Sequence, residues 1–185
     1  MEASPILRHA DRILRGGGVI AYPTEAVFGL GCDPGCDDAV ERILAIKGRP
    51  AESGFILIAA SAAQLWGWIA PTAAEQRRLA TATAQPVTWV VTAGPRATQV
   101  LTGGRATLAV RVTAHPIAAA LCRAAAMPLV STSANVHGRP PARSALAVRR
   151  RLGPWIDLVV PGATGGHRRP TEIRDAQTGA LLRGG

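Results

Sequence analysis

Phe55-Ile56-Leu57-Ile58-Ala59 is an unbroken run of five apolar residues, the pattern of a strand buried on both faces of a sheet. Upstream of it, Asp37 caps a helix expected to run to Lys47, with Val40, Ile43, Leu44 and Ile46 apolar and Gly48 as its stop. Before that, Val19-Ile20-Ala21-Tyr22 reads as a short strand broken by Pro23, and 27–31 as a second. Ser4-Pro5 opens a helix that Gly16-Gly17-Gly18 ends, with Ile6, Leu7, Ala10, Ile13 and Leu14 on one face. Downstream, Thr72-Ala73-Ala74-Glu75 is a capping box for a helix reaching about Thr83. Strands follow over 87–92 and 107–112. His115-Pro116 opens an alanine-rich helix to Ala125, then come a strand over 128–132, a basic helix over 144–152, and strands near 157–160 and 171–174. Helices interleave with strands, with no repeat and no linker, so residues 1–185 read as one α/β domain. Some strands follow each other too closely for a crossover helix, which predicts a mixed sheet.

No apolar run approaches ~18 residues, so no membrane span is expected. Met1-Glu2-Ala3-Ser4-Pro5 lacks a basic start followed by an apolar stretch, and a cytoplasmic location is the expectation. Cys32 and Cys36 stand three residues apart, but His9, His115, His137 and His167 show no paired spacing, so these read as ordinary thiols and not as a zinc site. Charge is divided unevenly. Residues 1–92 hold 8 basic and 9 acidic residues (−1), and 93–185 hold 13 and 3 (+10), which together give the net +9. Arg149-Arg150-Arg151 and Arg168-Arg169 are the densest parts. A one-sided excess of this kind attracts polyanions, whether nucleic acid or nucleotide phosphates, and is equally the mark of a solvated face. Of the 21 basic residues only Lys47 is a lysine. It reads as a solvent-facing point charge whose removal costs little stability.

The familiar nucleotide signatures are missing: there is no G-x-x-x-x-G-K-[ST], and Gly29-Leu30-Gly31 lacks the third glycine of G-x-G-x-x-G. Three polar segments carry the chemistry instead. Tyr22-Pro23-Thr24-Glu25 puts a hydroxyl and a carboxylate on an irregular turn, either a ligand contact or a plain proline turn. Lys47-Gly48-Arg49-Pro50 offers a point charge and a planar fork to one phosphate chain, or simply two cations at a helix C-terminus. Ser131-Thr132-Ser133-Ala134-Asn135 groups hydroxyls and an amide after a buried strand, as a phosphate or amino-acid site or as a turn.

Taken together with Val27-Phe28-Gly29-Leu30-Gly31 and Thr107-x-Ala109-Val110-Arg111, these segments resemble the YrdC/TsaC family of short, single-domain bacterial threonylcarbamoyl-AMP synthases. The resemblance extends to Pro161-Gly162 with Gly165-Gly166, and to Thr171-Glu172-Ile173-Arg174-Asp175. It implies an open twisted mixed sheet with flanking helices around a basic cavity. The implied reaction makes L-threonylcarbamoyladenylate and pyrophosphate from L-threonine, bicarbonate and ATP with Mg2+. The product serves threonylcarbamoyladenosine formation at position 37 of tRNAs reading codons that begin with A, and passes to a threonylcarbamoyl transferase complex. Carried over, Lys47 and Arg49 act on the triphosphate as catalytic cations. Thr107, Ser133, Asn135 and Arg183 hold the nucleotide. Thr24, Arg111, Ser131 and Thr171 hold threonine, with Arg111 on its carboxylate, and no protein-bound metal is implied. Ile58 stands where the family has His, Gln85 where it has Gly, and His137 where it has Ser. The basic half leaves a contact with tRNA or double-stranded RNA open, and a non-catalytic RNA binder is the rival reading. A second rival is another carbamoyl-adenylate enzyme of the same fold, as in hydrogenase maturation.

Overall fold

The computed structural model describes residues 4–81, 86–167 and 170–184. Met1, Glu2, Ala3, Gln85, Arg168, Arg169 and the helix end expected near Thr83 lie outside the described residues. The elements are α1 (Pro5–Arg15), β1 (Ile20–Pro23), β2 (Phe28–Gly31), α2 (Asp37–Lys47), β3 (Ile56–Ala59), α3 (Ala73–Ala80), β4 (Thr88–Thr92), α4 (Gln99–Thr102), β5 (Thr107–Val112), α5 (Pro116–Ala125), β6 (Leu129–Ser133), α6 (Ala145–Leu152), β7 (Leu158–Val159), β8 (Ile173–Asp175) and β9 (Leu181–Arg183).

Caps fix most helix ends where the sequence puts them. Thr72 and Glu75 form the reciprocal capping box of α3, and Glu75 also accepts from the Thr92 amide (3.0 Å), tying α3 to β4. Cys36, and not Asp37, is the N-cap of α2. Asp37 is the first helical residue, where its charge meets the positive end of the helix. Gly48 closes α2 in the left-handed conformation at φ 58°. Besides short 3-10 turns at Ala51–Ser53, Ala62–Leu65 and Gly153–Trp155, one α-helix and one strand among the described residues are additions to the expected set: the single turn α4 and the three-residue edge strand β9. Neither is long enough to show a period. Strand β8 begins at Ile173, so Thr171 sits in the loop before it and not in a strand.

The strands form one sheet in the order β7-β1-β2-β6-β3-β5-β4-β8-β9. The pairs β1/β7, β3/β5 and β4/β8 are parallel and the other five antiparallel. The sheet is therefore mixed, as the short connections predict. The run at 56–59 separates by alternation: Leu57 and Ala59 pack with Val40 and Ile43 of α2, and Ile58 with Leu121 and Cys122 of α5. Helix α1 lies beside α5 through Ala10 and Leu14. Helix α6 packs Val148 and Leu152 against Ala21, Phe28 and Leu30. Gly31 is demanded by packing, because a Cβ there would stand 2.5 Å from the Val130 carbonyl oxygen and 2.8 Å from the Tyr22 ring.

Helices α1 and α5 cover only part of their face of the sheet. Ser131, Ile56, Ala109 and Val90 lie side by side on β6, β3, β5 and β4, and all four line a cavity of about 510 Å3. On β5 the pleat sends Leu108 and Val110 into the core and Thr107, Ala109 and Arg111 into that cavity.

Candidate active site

Lys47, Arg49, Thr107, Ser133, Asn135, Arg183, Thr24, Arg111, Ser131 and Thr171 all line this one cavity. Its volume falls within the ~300–1,000 Å3 of small-molecule sites. Thr107 and Arg111 are four residues apart on one strand, ~13 Å at ~3.3 Å per residue, so the two sides of the site are spatially distinct.

At one side, the last turn of α2 delivers Lys47 to the end of β6. Its Nζ donates to the Ser133 carbonyl (2.6 Å), the Asn135 carbonyl (2.9 Å) and Asn135 Oδ1 (2.9 Å), and lies 3.3 Å from Ser133 Oγ. The Ser133 hydroxyl donates to Asn135 Oδ1 (2.6 Å), and the Asn135 amide nitrogen donates to the Arg139 carbonyl (2.6 Å). In return the His137 amide donates to the Lys47 carbonyl (2.7 Å). Lys47 is 4% exposed, which corrects the expectation of a solvent-facing cation. Its ammonium is the clasp of the 133–137 loop. Burial, and then the neighbouring Arg49 charge, push its pKa down to about 8.

Arg49 is half-buried. Its guanidinium lies 4.5 Å from the Phe55 ring centroid and donates to the Gly54 carbonyl through Nη2. Its buried Nε–H has no partner among the described residues, and burial lowers its pKa. Arg105 joins this side: it donates to the Glu52 (2.8 Å) and Ser53 (3.1 Å) carbonyls and lines the cavity. Three cations thus surround one end, and the donors still free suit an anion.

At the other side, Arg111 is 8% exposed. Its Nη1 donates to the hydroxyls of Thr171 (2.7 Å) and Thr88 (3.4 Å), its Nη2 pairs with Glu25 (3.5 Å), and its buried Nε–H has no partner among the described residues. Thr24 is folded into its own turn, donating to the Val27 carbonyl (2.7 Å). Ser131 is buried beside Tyr22, whose hydroxyl burial holds protonated far above neutrality. Arg183 is exposed on edge strand β9, opposite Ile173, and reaches the cavity from its rim.

Glu25, Thr88, Arg105 and Phe55 complete the site without having been assigned from sequence. Glu25 lies within the Tyr22-Pro23-Thr24-Glu25 turn, and Thr88 within the strand expected over 87–92. Arg105 and Phe55 carry no local signal, since one acts through its tertiary partners and the other looks like any strand residue. Of the departures noted, Ile58 is fully buried against α5 and lies outside the cavity lining, although β3 pairs it laterally with Arg111. His137 does line the cavity and is exposed.

The Sua5/YciO/YrdC family model, described as "Telomere recombination", matches residues 12–185. The threonylcarbamoyl-AMP synthase of Halorhodospira halophila is 58% identical over 178 residues, covering 96% of this chain and 93% of that protein. That of Nitrosococcus oceani is 56% identical and covers 96% of both. Among solved structures, P. abyssi Sua5 in complex with L-threonine superimposes with a TM-score of 0.88 at 33% identity, over 96% of this chain and 53% of its own. The chain therefore spans about half the length of that protein. E. coli YciO superimposes with a TM-score of 0.84 at 28% identity, over 96% of this chain and 88% of its own.

Proposed function

The chain belongs to the Sua5/YciO/YrdC family, and from that premise we infer that it is a threonylcarbamoyl-AMP synthase, a nucleotidyltransferase consuming ATP and L-threonine. The observation that carries this reading is the two-sided cavity. Lys47, Arg49 and Arg105 stand at the end that suits a triphosphate. Arg111, with an unused buried Nε–H among threonine hydroxyls, stands at the end that suits an amino-acid carboxylate.

The reaction follows from these positions. The neutral amine of threonine combines with bicarbonate to give a carbamate and water. A carbamate oxygen then forms a bond to the α-phosphorus of ATP as the bond to the β-phosphate oxygen breaks, and pyrophosphate leaves. Negative charge gathers on the phosphoryl oxygens and on the departing pyrophosphate, where the Lys47 ammonium and the Arg49 fork stabilise it. No side chain need become acylated or phosphorylated. Holding the carbamate and the α-phosphate in line can itself supply ~7–11 kcal/mol of the barrier. Magnesium enters with ATP and is held by its phosphates. The one carboxylate lining the cavity among the described residues, Glu25, is already engaged by Arg111 and Thr113.

The product is an activated acyl donor for tRNA modification, handed to a transferase complex in the cytoplasm. No helix among the described residues is long and apolar enough to cross a membrane, which fits that setting. The exposed arginines of α6 offer a basic surface suited to touching the tRNA backbone.

Mass spectrometry of a reaction containing ATP, L-threonine and bicarbonate tests this reading. Threonylcarbamoyladenylate and pyrophosphate should appear only when all three are present. ATP consumption that ignores threonine, or its absence under any combination, would overturn it.

A further inference from the structure

Glu25 has no role in the chemistry just described, yet it is 5% exposed and lines a cavity that receives a carboxylate and a polyphosphate. A buried negative charge beside anionic substrates is costly unless it is paired. Its carboxylate is held on two sides: the Thr113 hydroxyl donates to Oε1 at 2.7 Å, and Arg111 Nη2 faces Oε2 at 3.5 Å. Burial would raise its pKa, but Arg111 and Thr113 outweigh burial and keep it ionised below the usual carboxylate range. The backbone is pinned as well. His167 N donates to the Glu25 carbonyl and Gly165 N to the Thr24 carbonyl, both at 3.0 Å. A side chain at Gly165 would press on Glu25 at 3.0 Å.

Arg111 is thereby gripped at both terminal nitrogens, by Thr171 and Thr88 on Nη1 and by Glu25 on Nη2, while its buried Nε–H has no partner among the described residues. A guanidinium held this way has one orientation, and a long flexible side chain loses little further entropy when it pairs with a ligand. We propose that Glu25, fixed by Thr113, is a positioning residue that orients the Arg111 guanidinium so that its Nε–H meets the carboxylate of the amino-acid substrate. This rests on the reading of the cavity as a threonine site.

The test compares Glu25→Gln, Glu25→Asp, Thr113→Val, Arg111→Gln and the double variant Glu25→Gln/Arg111→Gln in the intact protein. Steady-state kinetics and calorimetric titration with L-threonine are the readouts. Glu25→Gln should raise the threonine KM and Kd by ~10-fold or more, with kcat and the ATP KM within ~2-fold of the parent. Glu25→Asp should recover part of the loss, and Thr113→Val should shift threonine binding in the same direction by less. In the Arg111→Gln background, removing Glu25 should cost nothing further, because the two act as one unit. A purely structural role would lower Tm and leave the threonine KM alone. A folded Glu25→Gln protein with unchanged threonine binding, or with both substrate KM values rising together, overturns the proposal. Should Glu25→Gln fail to fold, unchanged threonine binding in Thr113→Val overturns it equally. A parent protein that neither binds threonine nor makes the adenylate sinks the substrate reading and this role with it. Threonine binding without synthesis sinks the reaction alone, and the affinities still decide Glu25.

Discussion

At the scale of residues, the Lys47 ammonium joins Ser133 and Asn135 to the end of α2 while standing in a cavity suited to a triphosphate. It therefore has a structural and a chemical role, and replacing it should affect both. Lys47→Ala removes one donor from each of two carbonyls and an amide oxygen. Asn135 Oδ1 keeps the Ser133 hydroxyl and the Ser133 carbonyl keeps the Asn135 backbone amide, while the Asn135 carbonyl loses the lysine it faced, at a cost of about 1–3 kcal/mol. The corresponding fall in Tm is roughly 2–12 °C for a chain of this size. Adenylate synthesis should drop by ~10²-fold or more, the usual effect of losing one preorganised donor at developing charge. Calorimetry and turnover measured on the same folded sample check both, and near-normal turnover would remove Lys47 from the mechanism. A pH dependence follows from the same burial. With the free protein's Lys47 pushed down to about 8, kcat/KM for ATP should fall as pH rises through 8. In kcat the same limb should move upward, because bound triphosphate favours the ammonium. Stability runs the other way. Between about 8 and the ordinary value of 10.5 the unfolded chain holds the proton and the folded one does not, so the Lys47 contribution becomes more favourable as pH rises through that window. A flat kcat/KM profile from pH 7 to 9.5 would show that the charge on Lys47 is not needed. The uniqueness of this lysine was visible in the sequence, but its burial was not, because the oxygens that surround it are 86 and 88 residues away.

At the scale of elements, β2 pairs with β1 and β6 where side chains leave no room. Gly29 and Gly31 read in sequence as an incomplete phosphate loop, whereas in the fold Gly31 admits the Val130 carbonyl and the Tyr22 ring to the space a Cβ would occupy. Gly31→Ala should therefore destabilise by about 1–3 kcal/mol, as overpacking does, with the loss read from chemical denaturation. An unchanged midpoint would mean that β6 gives way at no cost. Caps and apolar runs made α1, α2, α3, α5 and α6 legible, since each such signal acts within a few residues of its own position. Helix α4 and strand β9 were not legible. The first is one turn, and the second has all three residues exposed, so its pairing with β8 alone defines it. That pairing also brings Arg183 to the cavity rim. Thr171 was expected in a strand, yet its place in the loop before β8 is what lets its hydroxyl meet Arg111.

At the scale of the whole molecule, charge is apportioned between the cavity and the surface. Arg149, Arg150 and Arg151 are exposed on α6 and none lines the cavity, and Arg151 also donates to the Pro140 carbonyl (3.0 Å). Replacing all three with Gln should leave adenylate synthesis within ~2-fold of the parent. Any binding to double-stranded RNA should weaken for all sequences alike, with a salt slope shallower by up to about 3, because fewer counterions are released. A large loss of synthesis in the folded triple variant would place α6 at the active site. The sequence by itself determined the α/β class, the mixed sheet, most helix ends and the three polar segments. Hydrophobic alternation, caps and turn residues are local, and each carries its meaning in a few neighbouring positions. Only the tertiary structure decided that Lys47 is a buried clasp, that Glu25 grips Arg111, and that Arg105 and Phe55 belong to the site. Those facts depend on strands far apart in the chain being laid side by side, and no local pattern encodes which distant oxygen or ring a side chain will meet.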